Sequence, residues 1–368
     1  MSARAVATNS VNLGQGFPDV DGPPGIARAA ADAVLAGKGN QYPPATGIPE
    51  LRNAVARHQQ RFYGLTYDPD TEVLITCGAT EAIAASLLAL LEPGDEVIAF
   101  EPYYDSYVAD IAMAGGTRVP LTLKAPDFRP DLAALERKIT SKTRLLMLNS
   151  PHNPTGMVLT RAETEAIARI AIEHDLLVIA DEAYEHLTFG AAHVPLATID
   201  GMRGRLISVG SAGKTFSFTG WKVGWATATP ELISAVRTTK QFLTFVSSGP
   251  FQYAIAEALD LPDSYYAETA ADLKAKRDLM AAGLREIGFG VYEPEGTYFI
   301  TTDIAPLGER DAMEFCRGLP DRVGVVAIPS AVFYDDHPAE GRTLVRFAFC
   351  KRPEVLKEAL SRLSALAR

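Results

Sequence analysis

Short apolar runs alternate with longer amphipathic segments over the first two thirds of the chain. The runs that predict buried strands are Val73–Thr76, Val97–Phe100, Leu145–Leu148, Leu176–Ala180 and Leu206–Val209. The segments between them that predict helices are Thr80–Leu91, Asp105–Ala114, Asp131–Ile139 and Arg161–His174. Because the strands are apolar throughout, we expect a mostly parallel sheet covered by helices on both faces. This pattern predicts a large α/β domain over residues 40–264.

The pattern changes in the last third of the chain. Tyr265–Ile287 predicts one long helix, and Pro353–Leu366 predicts a final one. The short strands predicted between them are Gly290–Tyr292, Tyr298–Thr302, Gly324–Ile328 and Leu344–Phe349. We expect a smaller α+β domain from residues 1–39 and 265–368, with the Pro/Gly-rich start of the chain packed across a cleft.

Composition narrows the class of protein. The 35 basic and 45 acidic side chains give a net charge of −10, which disfavours nucleic acid and anionic membranes as partners. The three cysteines have neither disulfide-framework nor zinc spacing. No secretory signal is apparent in Met1–Asn12, and the longest apolar stretch, Ala82–Leu91, is about half the ~20 residues of a membrane span. We expect a cytoplasmic enzyme.

One stretch, Ser208–Trp225, packs glycine, serine and threonine around two lysines. Small residues allow close approach of a ligand, and Ser211 and Lys222 have the hydrogen-bonding and charge properties that suit a phosphate. Lys214 between them is a candidate nucleophile. Gly213-Lys-Thr also resembles part of a nucleotide-binding P-loop. That motif needs another glycine five residues before Gly213, but the residue there is Ser208.

Three further polar clusters follow predicted strands. They are Gly78-Ala79-Thr80-Glu81, the loop from Asn149 to Asn153, and Asp181-Glu-Ala-Tyr184. Turns and helix caps would explain each one alone. All lie beyond the carboxyl ends of predicted strands, where open α/β sheets bind ligands, so we expect them to converge.

Together these motifs resemble the class I/II aminotransferases, pyridoxal-phosphate (PLP) enzymes of fold type I. The resemblance runs from Asn12–Asp19 to Leu344–Phe349, and its most specific parts are Ser-Ala-Gly-Lys-Thr-Phe and Gly-Trp-Lys-Val-Gly-Trp. Within the family the chain is most similar to the kynurenine/methionine branch, and especially to N-succinyldiaminopimelate aminotransferases, through Asn40-Gln-Tyr-Pro-Pro and Tyr184-Glu-His-Leu. The resemblance implies an α/β fold with a large three-layer domain, a smaller α+β domain, and PLP as cofactor.

The family's catalytic roles transfer by position. The resemblance implies that Lys214 holds PLP as a Schiff base and moves the proton at the substrate α carbon. Asp181 would pair with the pyridine nitrogen. Tyr184 and Asn153 would bond the ring's phenolic oxygen, with Asn149 close by, and Tyr104 would stack on the ring, although core packing would also explain that tyrosine.

The resemblance also implies a phosphate cradle and a substrate clamp. The cradle residues are Gly78, Ala79, Thr80, Ser211 and Lys222. Tyr42 would reach the phosphate of a second subunit, which implies a homodimer with shared active sites. Arg346 would clamp the substrate α-carboxylate, helped by Gly16, Asn149 and Asn153. A surface salt bridge is the alternative for Arg346, which its apolar strand disfavours.

The expected reaction moves an amino group from an amino acid to a 2-oxo acid, and the resemblance favours N-succinyl-diaminopimelate and 2-oxoglutarate. A carbon–sulfur β-lyase and a kynurenine- or methionine-type aminotransferase stay open, because the same lysine serves them all. Ser247 and Ser248 replace the bulkier rings typical of aromatic-substrate relatives, which favours a larger or more polar substrate. The N-terminal arm before Asn12 is shorter than is usual in the family. A cofactor-binding regulator of transcription is disfavoured because no basic stretch is present.

Overall fold

The computed structural model describes residues 1–367 as strands and helices that alternate through most of the chain. The strands are β1 (Val11–Asn12), β2 (Val73–Thr76), β3 (Glu96–Glu101), β4 (Thr117–Thr122), β5 (Thr143–Asn149), β6 (Leu177–Asp181), β7 (Leu206–Ser211), β8 (Gly224–Thr227), β9 (Gly290–Tyr292), β10 (Phe299–Asp303), β11 (Val325–Val326), β12 (Ile328–Pro329) and β13 (Leu344–Ala348). The helices are α1 (Ser2–Ala7), α2 (Pro24–Leu35), α3 (Pro49–Tyr63), α4 (Gly78–Leu90), α5 (Ser106–Met113), α6 (Leu132–Arg137), α7 (Arg161–Glu173), α8 (Ala212–Thr215), α9 (Pro230–Lys240), α10 (Gly249–Leu259), α11 (Asp263–Ile287), α12 (Ala312–Val323) and α13 (Pro353–Leu363).

A seven-stranded sheet of order β2-β8-β7-β6-β5-β3-β4 forms the centre of the large part. Every neighbouring pair is parallel except the two that involve β8. Successive residues of one strand enter different core clusters: Leu146 and Leu148 pack on one face of the sheet, and Leu145 and Met147 pack on the other. The three-layer, mostly parallel α/β fold is therefore confirmed.

A second, antiparallel sheet of order β12-β13-β10-β9 lies in the C-terminal part. Helices α11, α12 and α13 share a core cluster with it. The N-terminal strand β1 joins this part by pairing in parallel with β11, where Val11 faces Val325. The division at residues 39/40 and 264/265 stays a prediction, and its second boundary falls in the first turn of α11.

The predicted elements are present with small shifts at their ends. The predicted strand Gly324–Ile328 is two short strands, β11 and β12, and the last helix ends at Leu363 before a 3-10 turn. Strands β4 and β8 were not predicted from the sequence. Over residues 1–367, no helix has both the length and the apolar character that crossing a bilayer requires.

Candidate active site

A cavity of about 130 Å³ opens at the carboxyl edge of β5, β6 and β7, beside the start of α4. By the same measure one water needs about 10–15 Å³, so the cavity has room for a small organic molecule. Eleven of the predicted site residues line it together: Gly78, Ala79, Thr80, Tyr104, Asn149, Asn153, Asp181, Tyr184, Ser211, Lys214 and Lys222. The predicted convergence of the strand-end motifs is therefore what the structure shows.

One end of the cavity is built to receive an anion. The first residues of α4 have backbone N–H groups without partners inside the helix, which makes a helix start an anion site. Gly78 there has a φ of +75°, and a Cβ added to it would lie 3.2 Å from the Lys222 amine. At Gly224 an added Cβ would lie 2.6 Å from the Gly78 carbonyl carbon, so the two backbone segments can approach this closely only with glycine at position 224.

Lys214 lies in the short helix α8, which directly follows β7. Ser211 caps this helix, since its hydroxyl oxygen accepts the Gly213 N–H at 3.3 Å. Burial lowers the pKa of Lys214, while the nearby Cys350 and Asp181 oppose that shift. Its amine lies 5.7 Å from the centre of the Tyr184 ring. The result is an amine that faces the cavity and loses its proton more easily than a lysine in water.

Asp181 ends β6 in a buried position. Its carboxylate accepts the Tyr107 hydroxyl at 2.5 Å and the Ala183 N–H at 3.1 Å. Burial raises the pKa of Asp181, and the Tyr107 hydrogen bond acts against that rise. Asn149 fixes the same strand end by donating from its side chain to the Asp181 carbonyl at 2.9 Å. The carboxylate is thus held by neutral donors and points into the cavity.

Tyr184 and the asparagine loop form the wall nearest the small sheet. The Tyr184 ring meets Tyr298 edge to face at 5.3 Å, and the Tyr298 hydroxyl donates to the Gly16 carbonyl at 2.6 Å. Burial raises the pKa of Tyr184. The Asn153 N–H donates to the Asn149 side-chain oxygen at 2.7 Å, so the two predicted asparagines position each other.

Arg346 lies in the middle of β13 and is buried behind Asn153. Its guanidinium donates to the Asn153 side-chain oxygen at 3.0 Å and to the Gly14 carbonyl at 3.1 Å. Its Cζ atom lies 4.0 Å from the ring centre of Phe299 and 4.7 Å from that of Phe333. Burial lowers the pKa of Arg346 to about 10, which leaves it charged at neutral pH. The alternative of a surface salt bridge is not what the structure shows.

Two other predicted residues lie outside the cavity. Gly16 packs against the small sheet, where an added Cβ would lie 2.3 Å from the Phe299 ring. Tyr42 is 80% exposed and contacts Phe245 on the surface, with ring centres 5.4 Å apart. Ser247 is buried beside Cys77 rather than in the cavity, so the inference about substrate size drawn from it stays a prediction.

Some residues of the site had no assigned role in the sequence. Tyr107 holds Asp181, and its position three residues after Tyr104, in the first turn of α5, was the one available signal. The pair Phe299 and Phe333 that stacks on Arg346 comes from distant parts of the chain, so no local pattern indicates it.

Comparisons with known proteins agree with this geometry. The family model for aminotransferases of class I and II matches residues 8–363. A probable N-succinyldiaminopimelate aminotransferase of Mycobacterium tuberculosis is 53% identical over all of this chain and 95% of its own length. An Escherichia coli methionine aminotransferase is 39% identical over 100% of this chain and 94% of its own.

A solved structure gives the same result in three dimensions. The N-succinyldiaminopimelate aminotransferase from Mycobacterium tuberculosis superposes with a TM-score of 0.97, at 53% identity, and covers 100% of this chain and 96% of its own. The fold-type-I architecture and the PLP dependence expected from the motifs are therefore confirmed. The chain belongs to the class I and II aminotransferase family and is a PLP-dependent aminotransferase.

Proposed function

We propose that this cavity holds PLP and that the enzyme transfers the amino group of N-succinyl-diaminopimelate to 2-oxoglutarate. The observation that carries the proposal is the placement of three chemically distinct groups around one small cavity. They are the Lys214 amine, the buried Asp181 carboxylate and the anion cradle at the start of α4.

These groups fit PLP end by end. The cradle of Gly78, Ser211 and Lys222 suits a phosphate. At the other end, Asp181 has no lysine or arginine within salt-bridge distance among residues 1–367, so a protonated pyridine nitrogen would supply the missing cationic partner. When bound, PLP supplies an aldehyde that combines with amines and a ring that withdraws electrons from the substrate α carbon.

Each of the residues around the cavity would then have its own part in the reaction. The Lys214 amine would hold the cofactor and afterwards carry the proton from the substrate α carbon, a task helped by its lowered pKa. Asp181, held in place by Tyr107, would keep the pyridine nitrogen protonated. Tyr184 and Asn153 would orient the ring through its phenolic oxygen, with Asn149 holding Asn153 in place. Tyr104, which lines the cavity, would pack against the ring face.

Arg346 is the proposed anchor for the α-carboxylate that every amino acid and 2-oxo acid substrate carries. A guanidinium has five N–H donors, and two of them are used by Asn153 and Gly14. Its Nε atom is buried and finds no acceptor among residues 1–367. A planar carboxylate that binds beside Asn153 would meet a charged guanidinium that is held in a fixed orientation and still has free N–H donors.

The choice of amino donor rests on similarity. The 53% identity to a probable N-succinyldiaminopimelate aminotransferase, against 39% to a methionine aminotransferase and 35% to a human kynurenine–oxoglutarate transaminase, supports the first substrate. The test is a panel of N-succinyl-diaminopimelate, methionine, kynurenine and cystathionine, each with 2-oxoglutarate, in which glutamate formation is measured. N-succinyl-diaminopimelate should give the highest kcat/KM. Pyruvate and ammonia released from cystathionine without any oxo acid would instead favour the β-lyase.

We also propose that the protein is a cytoplasmic homodimer in which Tyr42 of each subunit reaches the cofactor cavity of the other. Tyr42 is exposed, and Phe242 and Leu243 in the turn that follows α9 are 84% and 46% exposed. Such exposed apolar side chains are typical of an interface. Light scattering should give twice the chain mass of 39.6 kDa, and Tyr42→Phe should weaken PLP binding about tenfold. A monomer with full activity would contradict this proposal.

A further inference from the structure

A second polar cluster lies behind the segment that carries Asp181 and Tyr184. It consists of His58 from α3 and of Glu185 and His186 from the segment after β6, and we name it the His58 cluster. The Nε2 atoms of the two histidines are 2.7 Å apart, and one ligand atom from each of the three residues lies within 4.8 Å of the others. Aspartate and tyrosine thus face the cavity, while glutamate and histidine of the same segment face this cluster.

Two acidic side chains lie in or beside the cluster without a cationic partner. Glu185 and the neighbouring Glu182 are both buried, and neither has a lysine or arginine within 4.0 Å in the described part of the chain. The Tyr63 hydroxyl lies beside Glu185 and is a neutral group. A buried carboxylate is costly unless it is paired or bound to a metal, so a divalent cation would remove that cost.

Nitrogen donors around the cluster are only partly used. The Nδ1 atom of His58 and both ring nitrogens of His193 are buried and make no hydrogen bond within residues 1–367. His193 lies 3.5 Å from Glu182, next to the cluster.

Aromatic rings line part of the cluster, while His186 stays half-buried. Phe62 lies 4.6 Å and Tyr266 lies 4.4 Å from the His186 ring, measured between centres, and Trp225 lies 6.5 Å from that of His58. A largely apolar surrounding strengthens the bonds between a cation and its ligands.

We propose that the His58 cluster is a binding site for a divalent transition metal, with Zn²⁺ as the best match. Two imidazole nitrogens and one carboxylate are a common zinc ligand set, with bonds of about 2.0–2.2 Å and water as the fourth ligand. Ligand atoms around a tetrahedral ion of that size lie about 3.3 Å apart, so the two histidine rings would separate by roughly 0.6 Å. Tyr63 would then donate to the second oxygen of Glu185 and orient it.

A metal at this site would link two parts of the chain that are far apart in sequence. His58 lies on α3, and the other two ligands lie on the segment that positions Asp181 and Tyr184. A metal at this point links α3 to a segment far along the chain, without entering the cofactor cavity. Its role is therefore structural, and it stands independently of the substrate proposed above.

The test is calorimetric titration of Zn²⁺ into the PLP-loaded enzyme after removal of metals with a chelator and dialysis. The matched variants are Glu185→Gln and His186→Gln, which keep the side-chain volume and polarity. The control is His174→Gln, at the exposed residue that follows the last turn of α7. The native chain and His174→Gln should bind one equivalent per chain and gain thermal stability with rising Zn²⁺. The two cluster variants should bind at least about tenfold more weakly.

A second measurement keeps the proposal testable if a variant folds poorly. Co²⁺ added to the native chain in place of Zn²⁺ should produce the intense visible ligand-field bands of a four-coordinate site, and these should disappear on adding Zn²⁺. Binding that is unchanged in both cluster variants would overturn the proposal. So would the absence of any uptake and of any Co²⁺ bands in the native chain, which would leave the cluster a metal-free histidine pair.

Discussion

Replacement of Arg346 by lysine tests how the site recognises the carboxylate of its substrates. Lysine keeps the positive charge but replaces a planar fork with a single rotating ammonium group, so one of two parallel contacts to the carboxylate is lost. A hydrogen bond that involves a charged group contributes about 1.5–3 kcal/mol. At about 1.4 kcal/mol per tenfold, kcat/KM should fall roughly 10- to 150-fold.

The loss should affect both half-reactions, because the amino donor and the oxo-acid acceptor each carry the carboxylate. Arg346→Gln, which also removes the charge, should lose both contacts and lower kcat/KM roughly 10²- to 10⁴-fold. Steady-state kinetics with each substrate varied in turn measure both effects. Arg342→Lys, at an exposed position just before β13, is the matched control and should change little.

Thermal melting and the visible absorbance of the bound cofactor show whether the Arg346 variants are folded and loaded. Since Arg346 bonds Asn153 and the Gly14 carbonyl, some loss of stability is expected in both. A loaded Arg346→Lys enzyme with kcat/KM within twofold of the native value would refute the proposed clamp. A loss confined to one of the two substrates would also contradict it.

Three other substitutions test the rest of the cavity. Lys214→Ala should lower turnover by about 10³-fold or more, measured by glutamate formation with saturating PLP. Tyr107→Phe removes the 2.5 Å hydrogen bond that opposes the raised pKa of Asp181, and the pKa of Asp181 should therefore rise further. A pH–rate profile should then show a kcat/KM that is lower by roughly tenfold or more. Gly78→Ala and its control Gly64→Ala both place a side chain at positive φ, and each should lower the free energy of unfolding by about 1–2 kcal/mol in denaturant. Only Gly78→Ala should also weaken PLP binding, because only there does the new Cβ meet Lys222. Equal PLP affinity in the two glycine variants, an unchanged profile for Tyr107→Phe, or a turnover in Lys214→Ala near the native value would each count against the assignments.

The sequence predicts the large sheet well where each strand is a clean apolar run. Strand β4 escaped prediction because Pro120 interrupts it, and a proline is tolerated there since β4 is at the edge of the sheet. Strand β8 was hidden in the glycine-rich stretch that carries Lys222. It is also the antiparallel member of the sheet, which apolar periodicity alone cannot indicate.

The candidate site was predictable to the extent that its residues follow strands. Asn149, Asp181 and Ser211 end three adjacent strands, so the topology brings them to one edge. Contacts made by tertiary packing were not predictable in this way, as with Tyr107 on Asp181 or the phenyl rings around Arg346. Tyr42 is a third case, because its proposed role depends on a second subunit.

The central claim is that Lys214 is the residue that holds PLP. Treating the loaded enzyme with sodium borohydride makes the bond between lysine and cofactor permanent, and mass spectrometry of the tryptic peptides then locates the cofactor. The account predicts a single labelled peptide in which cleavage after Lys214 is blocked, and no label in Lys214→Ala. A label on Lys222 or on any other lysine, with Lys214 cleaved normally, would contradict it.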